Sequence, residues 1–519
     1  MTTNEIIAET DAGRVRGVRT AGVSAFKGIP YGDDTSGANR FRPPRPPQPW
    51  AGVRDALAYG PTAVQLRLPV NPERSDALSE SQAVGENCLV LNVWTADPSA
   101  RRPVMVWFHG GGFSVGSASS PLYDGSHLAA REVVVVSVNH RLGLLGFMQL
   151  EQLFGERYAG SGNAGVLDLI AALEWVKRNI ERFGGDPGCV TIFGESGGGG
   201  KVSALLAAPA ARGLFQRAII ESGPPFQFPD AAAASATAEK VLAQLALDPR
   251  QGPSALHELP AERLLQAQVA LGAGGGPSPG GMAFAPAIDG QVLFDWPEPA
   301  LAAGASAEIP LLIGTNLDEA RFMLMMNPRL RKTPPELSPA ELLERVSPGC
   351  DANAGELIAR YRALYPELSG FDLLLKIESE QFRLRSIRLA EHKTRAAGAP
   401  VFMYLFSFTT PRLAKYGSYH GLEIPFVFGT LAAVPHVADD PDASALCERM
   451  QQHWLEFARS GRPAGDGAPT WAPYELAERS TMRIDREWVL ERDPLGRERA
   501  AWDDVPTGPT TRPWSRVVA

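Results

Sequence analysis

Residues 190–206 constrain the fold more than any other segment. Val190-Thr191-Ile192-Phe193 is a short apolar run, Gly194-Glu195-Ser196-Gly197-Gly198 follows at once, and Val202, Leu205 and Leu206 then begin a helical pattern. Strand, sharp turn and helix in this order form a nucleophile elbow. The turn strains the serine backbone, so the residues two away on either side must be nearly free of side chain. Gly194 and Gly198 meet that demand. The helix start aims backbone N–H groups and a positive dipole end at the serine. Ser196 is the expected nucleophile. A phosphate-binding loop ending at Gly200-Lys201 would need Gly at Glu195 and Ser or Thr at Val202, so that reading fails. Plain close packing of helix on strand is the remaining alternative.

The rest of the chain supplies a frame for the elbow. Compact apolar runs at 104–108, 133–138, 190–193, 218–221, 310–314 and 401–406 read as strands buried on both faces. Leu167, Ile170, Leu173, Val176 and Ile180 predict a helix over 163–183, stopped by Gly184-Gly185-Asp186-Pro187. This alternation implies an α/β chain with a mostly parallel central sheet and helices on both faces. Residues 13–18 and 23–26 read instead as a small antiparallel hairpin. A length of 519 residues would suit several domains. No linker or repeat divides the chain, however, and the Gly- and Pro-rich stretch 272–281 reads as a surface loop. The expectation is one domain over 1–519, with insertions around 225–305 and 320–400.

The predicted strand 104–108 leads into His109-Gly110-Gly111-Gly112-Phe113. Each glycine weakens regular structure by about 1 kcal/mol relative to Ala. Close approach of the backbone to a ligand explains why three stand together. N–H groups of this loop and of Gly197 would hold a developing oxyanion, each donor contributing about 10²–10³ in rate. Chain order in an elbow hydrolase is Ser, acid, His, so His109 reads as structural. Asp318 and Glu319 both follow the strand 310–314 and both qualify as the acid, whereas Asp289 reads as a turn residue. Four of the eight histidines come later. His392 and His453 fall in helical patterns, and His436 sits in a polar loop near Asp439 and Asp440. His420, in the flexible stretch Gly417-Ser418-Tyr419-His420-Gly421, leads as the base, with His436 next. Phe322, Met323, Met325 and Met326 after the acid, and Phe226 and Phe228 after 218–221, suit an apolar, adaptable pocket or, equally, core filling. Phe113 and Glu195 complete the pocket candidates.

Apolar residues make up 44% and charged residues 21% of the chain, enough for an ordinary soluble core. A net charge of −8 argues against a nucleic-acid partner, which needs a basic face. The four cysteines, Cys88, Cys189, Cys350 and Cys447, form no CxxC pair, so no zinc or redox site is suggested and core thiols are expected. Residues 1–19 are polar, and no apolar run approaches the roughly 20 residues of a spanning helix. A cytoplasmic protein away from membranes is the expectation.

Several motifs resemble the type B carboxylesterases, the group that includes bacterial para-nitrobenzyl esterases and, more distantly, the cholinesterases. They are Phe26-Lys27-Gly28-Ile29-Pro30-Tyr31, Glu86-Asn87-Cys88-Leu89-Val90-Leu91-Asn92-Val93, and residues 109–113, 139–147, 183–198, 314–319 and 420–429. The resemblance spans about residues 13–471. It implies the α/β-hydrolase fold and the hydrolysis of small-molecule carboxylic esters through an acyl-enzyme, with no metal or cofactor. It places the acid on Glu319, the base on His420 and the oxyanion donors on Gly111, Gly112 and Gly197. It also suggests an ion pair between Glu86 and Arg141, and an alcohol-pocket wall at Phe322 with Met323 behind it. Three departures stand out. The family usually has Ala where this chain has Gly197, which leaves the backbone donor intact and points to a looser turn. Lys201 adds a charge to the nucleophile helix, its long stem expected to carry the ammonium to solvent. Secreted members pair a cysteine at the place of Cys88 with one upstream, and residues 62–65 contain none. Carbamates or aryl amides would suit the same chemistry. A non-catalytic adhesion protein of this fold would be expected to lack one of the catalytic groups.

Overall fold

A computed structural model describes residues 4–66, 83–223, 228–272, 283–347 and 350–505. Phe226 and residues 273–281 of the expected surface loop lie outside these. Thirteen strands among the described residues form one sheet. They are β1 (Asn4–Glu9), β2 (Arg14–Thr20), β3 (Val23–Pro30), β4 (Val53–Asp55), β5 (Val90–Thr95), β6 (Arg102–Phe108), β7 (Val134–Val138), β8 (Gly185–Glu195), β9 (Arg217–Glu221), β10 (Leu311–Asn316), β11 (Val401–Phe406), β12 (Ser480–Ile484) and β13 (Val489–Arg492).

The spatial order is β1-β2-β3-β5-β7-β6-β8-β9-β10-β11-β12-β13, with β4 beside β2. Every pairing from β7 through β6, β8, β9, β10 and β11 to β12 is parallel. β1, β2, β3 and β5 join antiparallel up to β7, β4 lies parallel to β2, and β13 closes the far edge antiparallel. This is the expected α/β-hydrolase arrangement: a parallel centre and an antiparallel N-terminal hairpin. β5, β6 and β7 are rich in Val and Trp and lie almost wholly out of solvent, as strands covered by helices on both faces must. The helix Ala164–Asn179 ends through the 3₁₀ turn Ile180–Phe183 and Gly184 at φ +80°, after which β8 starts at Gly185, earlier than the apolar run indicates. The connections after β9 and after β10 are mainly helical, the latter ending in the long helix Gly370–Arg395.

The ion pair expected between Glu86 and Arg141 does not form. Arg141 instead makes a buried pair with Asp168, 2.6 Å from Nη2 to Oδ1, and Glu86 pairs with Arg40 at 2.6 Å. Asp168 lies on the helix Ala164–Asn179, whose packing brings its carboxylate to both the backbone N–H and the guanidinium of Arg141. Removing one partner of such a pair typically destabilises by about 3–5 kcal/mol. No disulfide joins the four cysteines. Among the described residues, no helix is long and apolar enough to cross a membrane.

Candidate active site

The chain leaves β6 for β7 on one side and returns to β8 on the other. Open parallel sheets bind ligands at such a reversal, beyond the carboxyl ends of the strands. Register places Phe108, the last residue of β6, beside Gly194 of β8, so residues 109–113 and the turn after Glu195 leave the sheet next to each other. A Cβ on Gly198 would stand 2.0 Å from the Phe108 carbonyl oxygen, and one on Gly194 would stand 2.6 Å from that same oxygen. No side chain fits at either position. Between them Ser196 takes φ 57° and ψ −122°, a conformation that L residues adopt only when the surroundings impose it. Its N–H donates to the Glu221 carbonyl at 2.9 Å, and its carbonyl accepts from the Gly200 N–H at 3.0 Å. Ser196 is half-buried while its immediate neighbours are buried.

The adjacent loop is folded back on itself. Gly111 and Gly112 have φ of 92° and 58°, and the N–H groups of Ser114 and Val115 both donate to the Gly111 carbonyl at 3.1 Å. Among the described residues, none accepts a hydrogen bond from the N–H groups of Gly111, Gly112 or Gly197. The turn at Gly197 is not loose, because a Cβ there would meet the Gly112 nitrogen at 2.5 Å. His109 is buried, donates from Nδ1 to the Gly110 carbonyl at 2.8 Å and stacks on His140. Burial, followed by the Lys201 charge, pushes its pKa well down, which keeps the ring neutral. Lys201 does not reach solvent. Its helix, Gly197–Ala207, is buried all along its length, and the ammonium donates to the His109 carbonyl at 2.7 Å.

His420 and Glu319 come from farther along the sheet, past β11 and β10. Past β10, the Leu317 N–H donates to the Phe406 carbonyl and the Asp318 N–H to the Ser418 carbonyl, both at 2.9 Å. The loop carrying His420 is thereby stitched to the end of the strand. The Asn316 side chain adds a bond to the Tyr419 carbonyl at 2.7 Å. Within this frame His420 Nδ1 donates to Glu319 Oε2 at 2.5 Å, and the second carboxylate oxygen accepts from the Asn316 N–H at 2.8 Å. His420 Nε2 lies 3.2 Å from Glu195 Oε1, so that edge of the ring faces the residue next to Ser196. His436 sits apart on the one-turn helix Pro435–Ala438 rather than in a loop. His392 and His453 lie on long helices, and Asp289 accepts three backbone N–H bonds in a turn.

Of the pocket candidates, Phe322 and Glu195 face His420, Phe322 with its ring edge-on at 5.7 Å. Phe113 and Met323 are buried. Phe113 packs edge-on against Phe147 and Phe228, and Met323 lies in the apolar cluster that holds Phe428. Sequence reasoning missed Phe382, which meets His420 edge-on at 5.3 Å from the helix Gly370–Arg395. That helix is apolar on no single face, so its pattern carries no pointer. It also missed Glu423, three residues past His420, which accepts from Asn316 Nδ2 at 2.5 Å and from Ser222 Oγ at 3.2 Å. Burial, then the charges of Glu195, Glu319 and Glu221, holds the Glu423 carboxyl far above the usual carboxylate range.

The chain is 39% identical over 508 residues to the para-nitrobenzyl esterase of Bacillus subtilis (strain 168), covering 95% of this chain and 97% of that one. It is 35% identical to carboxylesterase 4A of Bos taurus, covering 92% of this chain and 91% of the relative. Among solved structures it resembles the carboxylesterase EST55 of Geobacillus stearothermophilus, with a TM-score of 0.84 and 38% identity over 96% of this chain and all of that one. Residues 4–502 match the model of the carboxylesterase family. The chain belongs to the carboxylesterase family and is an ester hydrolase.

Proposed function

We propose that the protein hydrolyses carboxylic esters through a Ser196 acyl-enzyme, within one catalytic domain. The observation that carries this reading is the His420 ring, bonded to Glu319 through Nδ1 and turned with Nε2 toward the Glu195-Ser196 turn. Glu319 fixes the Nδ1–H tautomer and leaves Nε2 to take the serine proton as Oγ attacks the carbonyl. The Gly111, Gly112 and Gly197 N–H groups receive the oxyanion. The imidazolium then protonates the leaving alcohol, and water repeats the sequence on the acyl-enzyme. Glu195 places a carboxylate beside the transient imidazolium. The rings of Phe322 and Phe382 next to His420 favour small to medium esters with an apolar or aromatic alcohol part.

Ser196→Ala should abolish para-nitrophenyl ester hydrolysis without altering the fold. A fluorophosphonate probe should label the wild type at Ser196 and leave the variant unlabelled. Labelling at another serine would overturn the assignment.

A further inference from the structure

The mechanism above makes no use of Lys201, yet Lys201 is 1% exposed. A buried ammonium is costly unless it is paired. Among the described residues its one hydrogen-bond acceptor is the His109 carbonyl, 2.7 Å away, and the ammonium also lies 5.6 Å from the centre of the Phe113 ring. His109 and Phe113 are the two ends of the glycine loop. The same cation therefore holds both ends of the segment whose middle carries the Gly111 and Gly112 donors. The loop is seated against Gly197, where a Cβ would lie 2.5 Å from the Gly112 nitrogen and 3.3 Å from the Phe113 nitrogen. Lys201 and Gly197 stand on the same helix, Gly197–Ala207.

We propose that Lys201 is a positioning residue that draws the oxyanion loop onto the nucleophile helix, and that Gly197 is the side-chain-free contact that lets the loop seat. The inference rests on the serine mechanism proposed above. The ammonium–carbonyl bond is charge-assisted and stronger than a neutral one, and it orients the first peptide of the loop. The charged and titratable groups around it are Glu195, which favours the cation, and the neutral rings of His109 and His140. Burial lowers the Lys201 pKa to about 7, a measure of how much solvation this position gives up.

The test is a double-mutant cycle on Gly197→Ala and Lys201→Met, read by kcat and by the inhibition constant of a trifluoromethyl ketone, whose serine adduct carries an oxyanion. Each single change should lower kcat about 10- to 100-fold, at or below the loss of one oxyanion donor. Ketone affinity should fall in parallel, and KM should change far less. The double variant should lose much less than the product of the singles, because a loop released by Lys201→Met can retreat from the methyl group that Gly197→Ala adds. Lys201→Gln, which keeps an N–H donor for the carbonyl, should recover part of the loss and serves as the variant if Lys201→Met does not fold. Multiplicative losses, or a Lys201→Met enzyme with unchanged kcat and ketone affinity, would overturn the proposal. If turnover persisted in Ser196→Ala, the serine mechanism itself would fail. Serine-dependent turnover with a multiplicative cycle would remove only the role of Lys201.

Discussion

Nδ1 of His420 donates to Oε2 of Glu319 at 2.5 Å, while Asp318, one residue earlier, accepts the Ser418 N–H at 3.1 Å. The two adjacent carboxylates thus serve different atoms of one loop. Glu319 holds the imidazole and Asp318 holds the backbone that carries it. Glu319→Gln should lower kcat by at least about 10²-fold, since the comparable change in a Ser-His-Asp enzyme lowers it about 10⁴-fold. Asp318→Asn keeps an acceptor for Ser418 and should cost far less. Steady-state kinetics on both folded variants checks this, and a larger loss in Asp318→Asn would exchange the roles.

Glu195 Oε1 stands 3.2 Å from His420 Nε2. A carboxylate there would favour the imidazolium of the proposed mechanism. Glu195→Gln keeps the shape and removes the charge, so kcat should fall about tenfold or more while Ser196 remains open to a fluorophosphonate. Unchanged kcat would mean that the charge contributes nothing to the reaction.

Phe322 and Phe382 present edges to the same imidazole. An aromatic contact is worth about 0.5–1.5 kcal/mol beyond buried area. Phe322→Ala should therefore lower kcat/KM for aryl-alcohol esters about three- to tenfold relative to alkyl esters. An unchanged ranking over a matched ester panel would show that Phe322 is not a pocket wall.

Glu221 accepts from Trp454 Nε1 at 2.6 Å, and burial pushes its pKa up to about 8. Because the folded value lies above the unfolded one, the folded state binds the extra proton between the two. Stability from this group is complete below the unfolded pKa of about 4.5 and is lost as pH rises to about 8. The slope is at most about 1.4 kcal/mol per pH unit. Glu221→Gln keeps an acceptor for Trp454 and cannot ionise. Its melting temperature should gain on the wild type steadily from pH 5 to pH 8, and a gap that did not change with pH would contradict the assignment.

The central parallel strands β6 to β11 and the elbow were legible because strands buried on both faces are continuous apolar runs and because a strained serine demands glycines at fixed offsets, whereas the parallel β12, Ser480–Ile484, has no such run and was not foreseen. β11 falls where its sequence predicts, over Val401–Phe406. β1 and β13 were not foreseen, since edge strands such as Asn4–Glu9 mix charge with apolar residues and form by pairing with distant neighbours. His420 stands out in the sequence by its loop setting, and the structure brings its ring to Glu319. Which of Asp318 and Glu319 meets His420 was not legible locally, because Ser418 and Asn316 set it across a gap that spacing cannot measure. The destination of Lys201 was hidden for a related reason. A long polar stem ordinarily reaches solvent, and only the tertiary covering of a Gly-rich helix turns it inward.

The stitching of the 417–420 loop to the end of β10 carries a consequence for assembly. The Ser196 turn is bounded by contiguous elements, Gly185–Glu195 and Gly197–Ala207. Glu319 and His420 are 101 residues apart in sequence and meet only once β10 and β11 have paired. Contacts this distant form late, because loop closure precedes any gain from them. On the proposed serine mechanism, the Ser196 turn can form before Glu319 and His420 meet, and phosphonate labelling during refolding should time the pairing of β10 with β11.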